Sequence, residues 1–496
     1  MFLGFPGRSR QEWIVFLVLV SAAAFLAPAA MGCTTVLAAG NATVDGSIIV
    51  AKNRDLSEYE VQWLYRAPSM HHAPGATVSL QYIEIPQAET TWGWVGSKSY
   101  DKKWGVGMGI NEWGVVVADN DASTREPLEG EAGLHDNDVC RLVLERSRTA
   151  YEGVQLVGSL IEMYGHSYVG QIYWIVDEEE AWIVECAGRH WAAVKAEDGV
   201  AVRANQFQIT TRWDEGSDDL VEYAVDQGWC ESADDFSFAE CYSSRGYPYR
   251  SSQTRLERGL DLLGNKMGSL TREDLMEVLS DHYEGTPMYR SPHGNDLYRT
   301  ICSGRTVSVM VAQLDPGLPS EMQVMWYCMS SPCIGVFMPV YANVSTVPEP
   351  YLMGEGPETR SGYDEESAWW VYKMLQLSVD EAYGERQPLV RERWDEIYAA
   401  ASSEVEEMEE VLLGLYAGGE AAEARWLMDA LVEERLMEGY ELAVETVNGF
   451  SGGEEPEPVE AVENEDKTLV YLGVAGLMLL IGGVLVVYVM KVGGRR

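Results

Sequence analysis

Cys33 lies at the junction between an apolar leader and a pattern typical of a β-hairpin, and this position constrains the whole chain. The leader has Arg8 and Arg10, an apolar segment and then small residues directly before the cysteine, which is typical of a secretory signal peptide. After it, two runs of apolar and β-branched residues flank Val44-Asp45-Gly46, as expected for two paired strands joined by a turn. Removal of residues 1–32 would leave a thiol and a free α-amino group on one residue, at one end of a hairpin.

A cysteine in that position can carry out nucleophilic chemistry without a separate histidine. A free thiol has a pKa of ~8.5, so only a small fraction is thiolate at neutral pH, whereas an α-amino group has a pKa of roughly 8 and can accept the thiol proton. A lipid-modified cysteine is the alternative, because Ala-Met-Gly-Cys partly resembles the recognition sequence of a lipoprotein. Met31 fits that recognition sequence poorly, and acylation would block the amine.

An ordered series of motifs follows the leader. In chain order they are Cys33-Thr34-Thr35, Asp45-Gly46-Ser47, Lys52-Asn53-Arg54-Asp55, the paired strands of 181–209, Asp-His-Tyr-Glu-Gly-Thr-Pro at 281–287, Tyr-Arg-Thr-Ile-Cys-Ser at 298–303 and Ser331-Pro332-Cys333. This series resembles the dipeptidase family of N-terminal-nucleophile hydrolases, which includes the secernins, and more distantly penicillin V acylase and bile salt hydrolase. The resemblance covers most of residues 33–448. It implies an α+β fold, a four-layer αββα sandwich with the nucleophile at the start of a strand.

The resemblance also implies a set of catalytic residues. They are Cys33 as nucleophile, Asp55 to orient its amine, Lys52 to supply positive potential, Asn205 to stabilise the oxyanion and Arg255 to complete the site. Lys52 stands where the family more often has Arg, and Arg250 is the alternative to Arg255. Without the resemblance, Asp55 and Asn205 would be interpreted as turn residues and the two cations as solvated side chains.

The sequence gives no support for metal or nucleotide chemistry. It contains no His-Glu-x-x-His pair, no Cys-x-x-Cys and no Gly-x-x-x-x-Gly-Lys loop, so neither a metal site nor a cofactor is expected. His282, inside the Asp-His-Tyr-Glu-Gly-Thr-Pro motif, is predicted to brace a wall of the site. A net charge of −42 argues against nucleic acid as a partner, because phosphates would be repelled, and it suggests a protein suited to a salty exterior.

The eight cysteines leave the disulfide pattern open. Cys33 must stay free for the proposed chemistry, so an odd number remains. Cys230 with Cys241 and Cys328 with Cys333 are close enough in sequence to pair, and buried thiols are the equal alternative.

Patterning predicts sheet over 104–118, helices over 138–148 and 150–164, and strands over 306–314, 323–329 and 334–341. Further on, residues 351–450 are rich in Ala, Glu and Leu, with apolar residues at helical spacing and a break at Gly418-Gly419. They are predicted to form a helical annex packed on the hydrolase core of 33–350, with a partner-recruiting coiled coil as the alternative.

The C-terminal end reads as a membrane attachment. Residues 451–466 are an acidic linker, 467–490 a predicted single transmembrane helix that is uncharged from Thr468 to Met490, and 491–496 a basic tail that the positive-inside rule places in the cytoplasm. We therefore expect an exported, membrane-anchored cysteine dipeptidase acting on small peptides. A hydrolase of N-acyl amino acids, lactams or bile-salt-like amides, or a non-catalytic surface interaction protein, are the alternatives.

Overall fold

A computed structural model describes residues 32–294, 298–356 and 363–450. The strands of these residues are β1 Thr34–Ala39, β2 Ile48–Asp55, β3 Gln62–Ala67, β4 Met70–His71, β5 Thr77–Ser79, β6 Glu84–Pro86, β7 Thr90–Thr91, β8 Trp94–Ser99, β9 Met108–Asn111, β10 Val116–Ala122, β11 Gly170–Val176, β12 Ala181–Ala187, β13 His190–Lys195, β14 Gly199–Arg203, β15 Glu215–Gly216, β16 Thr306–Leu314, β17 Val324–Met329 and β18 Met338–Tyr341. The α-helices are α1 Asp136–Arg146, α2 Ala150–Tyr164, α3 Leu220–Asp226, α4 Phe238–Tyr242, α5 Arg250–Gly264, α6 Arg272–Leu279, α7 Ala368–Asp380, α8 Tyr383–Gly418 and α9 Ala421–Phe450.

Two antiparallel sheets contain most of the strands. One has six strands in the order β14-β1-β2-β16-β17-β18, and the other has eight in the order β15-β13-β12-β11-β10-β9-β8-β3. Every residue of β1 and β2 is buried, so the six-stranded sheet is covered on both faces at its centre. Their apolar and β-branched composition suits such a doubly covered strand.

Polar side chains join the two sheets. Thr35 Oγ1 of β1 donates to Asn120 Oδ1 of β10 at 2.8 Å. Ser97 of β8 hydrogen-bonds Ser308 of β16 at 2.9 Å and Tyr327 of β17 at 3.1 Å. The faces that meet are therefore partly polar, and this is where the candidate site lies.

Helices pack on both sheets. Helices α1 and α2 share a buried apolar cluster with alternate residues of β10 to β13, while α6 packs on β2 and β16, and α9 on β18. The mixed α+β class that the motifs imply agrees with these contacts. The four-layer order of the αββα sandwich stays a prediction.

The predicted elements are mostly present, with shifted bounds. The helix expected over 138–148 spans Asp136–Arg146, and the break at Gly418-Gly419 falls between α8 and α9 as predicted. The strand expected over 334–341 was wrong in its first half, because Ile334 and Gly335 close a turn on Ser331 O at 3.0 and 2.8 Å. The sheet expected over 104–118 is interrupted by a turn, in which Gly114 has a φ of 74°.

The predicted ends of the chain are not described. The signal peptide, the acidic linker, the transmembrane helix at 467–490 and the cytoplasmic tail lie outside the described residues. Among the helices that are described, none combines the length and the apolar character that a membrane crossing requires.

Candidate active site

Cys33 directly precedes the buried strand β1, and Arg255 fixes the backbone around it. Arg255 Nη1 donates to Cys33 O at 2.8 Å, to Gly32 O at 2.8 Å and to Thr34 Oγ1 at 2.9 Å. The guanidinium is buried, with 1% exposure, and projects from α5. Burial and Arg299 lower the pKa of Arg255 to about 10, so it stays protonated at neutral pH.

The structure distinguishes between the two arginines that the sequence left open. Arg255 is the residue that reaches Cys33, whereas Arg250, at the first position of the same helix, is exposed and lies over the ring of Tyr298. A spacing of five residues on a helix rotates the two side chains onto different faces.

Asn205 is held in the same network. Its Oδ1 accepts from Arg255 Nη2 at 2.9 Å, and its Nδ2 donates to Asp121 O at 3.0 Å. One amide hydrogen is thus already used to attach Asn205 to β10. The role of Asn205 at the oxyanion stays a prediction, and it depends on the second hydrogen of Nδ2.

Asp55 ends β2 and lines the same cavity as Cys33. Thr306 Oγ1 donates to Asp55 Oδ1 at 2.7 Å, and Arg299 Nη2 lies 3.6 Å from Asp55 Oδ2. Burial raises the pKa of Asp55, opposed by Arg299. The arginine at 299 was not singled out in the sequence, although it belongs to the Tyr-Arg-Thr-Ile-Cys-Ser motif.

Lys52 is buried and paired with Asp119, and its Nζ also donates to Gly107 O at 3.3 Å. Its positive charge lowers the pKa of the Cys33 thiol. Burial is the larger effect and, with Asp55 and other carboxylates, raises that pKa to about 11. A thiol with this pKa is protonated at neutral pH and needs a base beside it.

The cavity at Cys33 is small and strongly charged. Its volume is about 210 Å³, below the roughly 300–1,000 Å³ of pockets that take drug-sized ligands. Its charged and titratable lining comprises Cys33, Arg54, Asp55, Glu60, Lys102, Asp119, Asp121, His135, Asp136 and His166.

Four lining residues have buried polar atoms without a hydrogen-bond partner among the described residues: Arg54 Nε, Asp55 Oδ2, Asn137 Nδ2 and Gln171 Oε1. Asp55 Oδ2 still has the ion pair with Arg299. An unpartnered buried polar atom costs roughly 1–3 kcal/mol, so such atoms are usually satisfied by water or ligand. A polar ligand with both donors and acceptors suits this cavity.

Three carboxylates converge in the cavity. Oxygens of Asp119, Asp121 and Asp136 lie within 4.8 Å of one another. Burial, with Asp136 nearby, raises the pKa of Asp121 to about 7, because neighbouring carboxylates disfavour a further negative charge. The arrangement can hold a cation such as an ammonium group.

Sequence reasoning missed Arg54, Arg299 and the three clustered carboxylates as site residues. A signal existed for two of them, since Asp119-Asn120-Asp121 interrupts the apolar run of β10. Nothing local marks Asp136, which reaches the cavity from the first position of α1.

A buried cysteine directly before β1, with an arginine, an asparagine and a carboxylate around it, suits nucleophilic hydrolysis of an amide bond. The chain belongs to peptidase family C69, whose sequence profile matches residues 32–396. It is a cysteine peptidase, and the family resemblance inferred from the motifs is confirmed.

Two bacterial proteins named as probable dipeptidases are similar to this chain over most of their length. The chain is 26% identical over 398 residues to a probable dipeptidase of Latilactobacillus sakei, covering 71% of this chain and 82% of that protein. It is 26% identical over 397 residues to probable dipeptidase B of Lactococcus lactis subsp. lactis strain IL1403, with the same coverage of 71% and 82%.

Two solved structures also align with part of the chain. Penicillin V acylase from Agrobacterium tumefaciens is 14% identical, with a TM-score of 0.38 over 63% of this chain and 87% of that chain. A conjugated bile acid hydrolase from Clostridium perfringens is 13% identical, with a TM-score of 0.36 over 63% and 92%.

Proposed function

We propose that this protein is an exported, membrane-anchored dipeptidase that uses Cys33, as its mature first residue, to hydrolyse dipeptides through a thioester. The observation that carries the proposal is the small, charged cavity at Cys33, which is lined by hydrogen-bond donors and acceptors without hydrogen-bond partners among the described residues. The names of the two bacterial relatives support dipeptides as the substrate class.

The proposed reaction starts with removal of residues 1–32, which frees the α-amino group of Cys33. Because the thiol has a pKa of about 11, the neighbouring amine takes the Sγ proton as sulfur attacks the peptide carbonyl. The amine returns that proton to the leaving amino group, and the acyl group stays on sulfur. Water then attacks the thioester, its proton returns to sulfur, and the carboxylic acid leaves.

Arg255 and Asn205 are the candidates for holding the reacting carbonyl. In the described chain Arg255 Nη1 already donates to a peptide carbonyl, that of Gly32, at 2.8 Å. Removal of the leader vacates this position and leaves the donor available for substrate. A fixed charged donor at a developing oxyanion is among the strongest contributions to amide hydrolysis.

The cavity offers complementary charges to the two ends of a dipeptide. The cluster of Asp119, Asp121 and Asp136 suits the substrate α-ammonium, while Arg54 and Lys102 suit its carboxylate. These opposite charges favour a dipeptide, which is charged at both ends, over a bile-salt-like substrate. The proposal also includes four-layer packing, export and anchoring through residues 467–490. These three parts are based on the sequence.

Mass spectrometry of the amino terminus of the purified protein tests the central step. We expect a chain that begins at Cys33 with an unmodified amine, and a cut elsewhere or an acylated cysteine would contradict the mechanism. Cys33→Ser should lose dipeptide turnover while its unfolding midpoint stays close to that of the parent. Hydrolysis of N-acyl amino acids or lactams in preference to dipeptides would assign the other substrate class to the same nucleophile.

A further inference from the structure

A second cluster of reactive side chains lies outside the set that lines the Cys33 cavity. It consists of His282, His293, Cys302 and Cys333, each of which offers one nitrogen or sulfur atom, and these four atoms all lie within 4.8 Å of one another. Three of the four belong to motifs that the catalytic proposal does not use: Asp-His-Tyr-Glu-Gly-Thr-Pro, Tyr-Arg-Thr-Ile-Cys-Ser and Ser-Pro-Cys.

Three separations within the cluster are close to the edges of a tetrahedral metal site. Cys302 Sγ and Cys333 Sγ are 3.5 Å apart, and His293 Nε2 lies 3.3 Å from Cys333 Sγ and 3.7 Å from Cys302 Sγ. Zinc bonds of about 2.3 Å to sulfur and about 2.0–2.1 Å to nitrogen give tetrahedral edges of about 3.3–3.8 Å. The three separations fall in that range.

His282 supplies an independent indication. Its side chain is 1% exposed, and its Nε2 is a buried atom without a well-aligned hydrogen-bond partner among the described residues. One ring nitrogen of His282 lies within 4.8 Å of both sulfurs and of a ring nitrogen of His293. A buried imidazole nitrogen in this position would be satisfied by a metal ion.

Both histidines are oriented as metal ligands usually are. His282 Nδ1 is 2.8 Å from Glu284 Oε1, and His293 Nδ1 is 2.7 Å from Asp380 Oδ1. A carboxylate that accepts from Nδ1–H fixes the tautomer and directs the Nε2 lone pair toward the metal.

We propose that His282, His293, Cys302 and Cys333 bind one zinc ion. Two sulfurs and two imidazole nitrogens favour zinc over calcium or magnesium, which prefer oxygen. On binding, the two thiols release their protons to solvent, and two thiolates with two neutral imidazoles balance the charge of the divalent ion. The bound site is thus neutral, which suits its burial, and its four protein ligands make it a structural site.

A bound ion would link the segment that carries Arg299 to the connection between β17 and β18. Cys302 follows Arg299 by three residues, while Cys333 lies in the connection between β17 and β18. Tyr283, next to His282, donates its hydroxyl to Arg299 O at 2.7 Å. Because Arg299 pairs with Asp55, we infer that the zinc acts as a positioning element for the active site, without contact with substrate.

No local motif predicted a metal site, because the four residues come from separate segments of the chain, and His282 was expected to brace a wall of the site. The structure instead groups His282 with ligands from three other segments. It also separates Cys333 from the partner suggested by sequence, since Cys333 is next to Cys302 and Cys328 donates to Met329 O at 3.4 Å.

Elemental analysis of the full chain tests the proposal. We expect about one zinc per chain in the parent, and a loss of most of it in Cys302→Ser and in His293→Gln. The matched control is Cys328→Ser, a buried thiol on β17 outside the cluster, which should keep the zinc. Zinc below about a tenth of an equivalent in the parent, after reconstitution under reducing conditions, would overturn the proposal.

A spectroscopic measurement on the parent protein does not depend on variants that fold poorly. The parent stripped of metal by a chelator and refilled with Co²⁺ should show the charge-transfer absorption of cysteine-bound cobalt, and Zn²⁺ but not Mg²⁺ should abolish it. A pair of thiols that resists alkylation until reduction, together with no cobalt spectrum, would identify a Cys302–Cys333 disulfide and refute the zinc site. Detection of Cys33 as the amino terminus is unaffected by either result, so the proposed function is tested separately.

Discussion

Arg255 illustrates how one buried residue can organise a site. Its two terminal nitrogens bridge Cys33, Thr34 and Asn205, and a lysine has only one charged nitrogen at the end of its chain. Substitution by lysine keeps the charge but cannot make all of these hydrogen bonds.

We therefore expect Arg255→Lys to lower kcat/KM for a dipeptide by about 10²-fold or more. Arg250→Lys is the matched control, because it lies on the same helix but is exposed, and it should retain nearly full activity. Steady-state kinetics with both variants and the parent measures the difference. Equal losses of kcat/KM in the two variants would show that Arg255 contributes no more to catalysis than Arg250.

Asp121 gives a prediction about pH. Burial and Asp136 raise its pKa to about 7, above the ordinary value of about 3.9. A carboxyl with a raised folded pKa favours the fold while it is protonated, and this stabilisation is lost as pH rises toward 7. Ionised Asp121 thus destabilises the fold above pH 7 but is available to bind an ammonium group.

Asp121→Asn should accordingly unfold at a higher temperature than the parent at pH 8, with a smaller difference at pH 5. In the parent, KM for a dipeptide should fall as pH rises through 7, and this dependence should be weaker in the variant. Calorimetry and kinetics over that range give both quantities. A variant that is less stable than the parent at pH 8 would contradict the assigned charge state.

Strand β2 distributes polar groups to both sides of the six-stranded sheet. Lys52 and Arg54 face Asp119 of the other sheet, whereas Asn53 Nδ2 donates to Leu279 O and Ile301 O at 2.8 and 2.9 Å. The alternation of a strand puts these neighbours on opposite faces. The active site and the segment before Cys302 are therefore attached to the same strand.

Gly107, just before β9, has no side chain, and the guanidinium of Arg54 occupies the space that a Cβ would fill. A Cβ built at Gly107 would lie 1.2 Å from Arg54 Nη1, so Gly107→Ala should displace the guanidinium from the cavity. Loss of a hydrogen bond to a charged group corresponds to about 1.5–3 kcal/mol, and we expect KM to rise about tenfold or more. Gly264→Ala, where a Cβ meets nothing within 4 Å, is the control, and an unchanged KM in Gly107→Ala would exclude Arg54 from substrate binding.

The whole molecule carries a large excess of negative charge. There are 78 acidic and 36 basic residues, for a net charge of −42, and such self-repulsion destabilises a compact state. Salt screens exposed charges over a Debye length of about 10 Å at 0.1 M. The unfolding midpoint should therefore rise when potassium chloride is added to a dilute buffer.

Thermal unfolding at increasing potassium chloride measures this dependence. A midpoint that is greatest in dilute buffer would reject the view that the acidic surface suits a salty exterior. Sodium chloride is the control for ion identity, because screening depends on ionic strength and should give a similar curve.

The amino-acid sequence by itself determined the family and most of the elements, and it predicted Cys33 as the nucleophile. Cys33 and Asp55 are adjacent to strand patterns that can be recognised locally, and Gly418-Gly419 marks a helix break without any tertiary information. These features depend on spacing and composition within a few residues, which is the range over which a pattern in one sequence carries physical meaning.

Only the tertiary structure distinguished Arg255 from Arg250 and brought Arg54, Arg299 and Asp136 close to the predicted nucleophile and to Asp55. Arg255 contacts Cys33 from a position 222 residues away in the chain, and Asp136, Arg299 and the four candidate zinc ligands likewise come from separate segments. Their proximity results from sheet register and from the way buried polar groups find partners when the two sheets and the helices pack. No local pattern encodes such contacts, because the free energy that selects them depends on the burial of all these groups together.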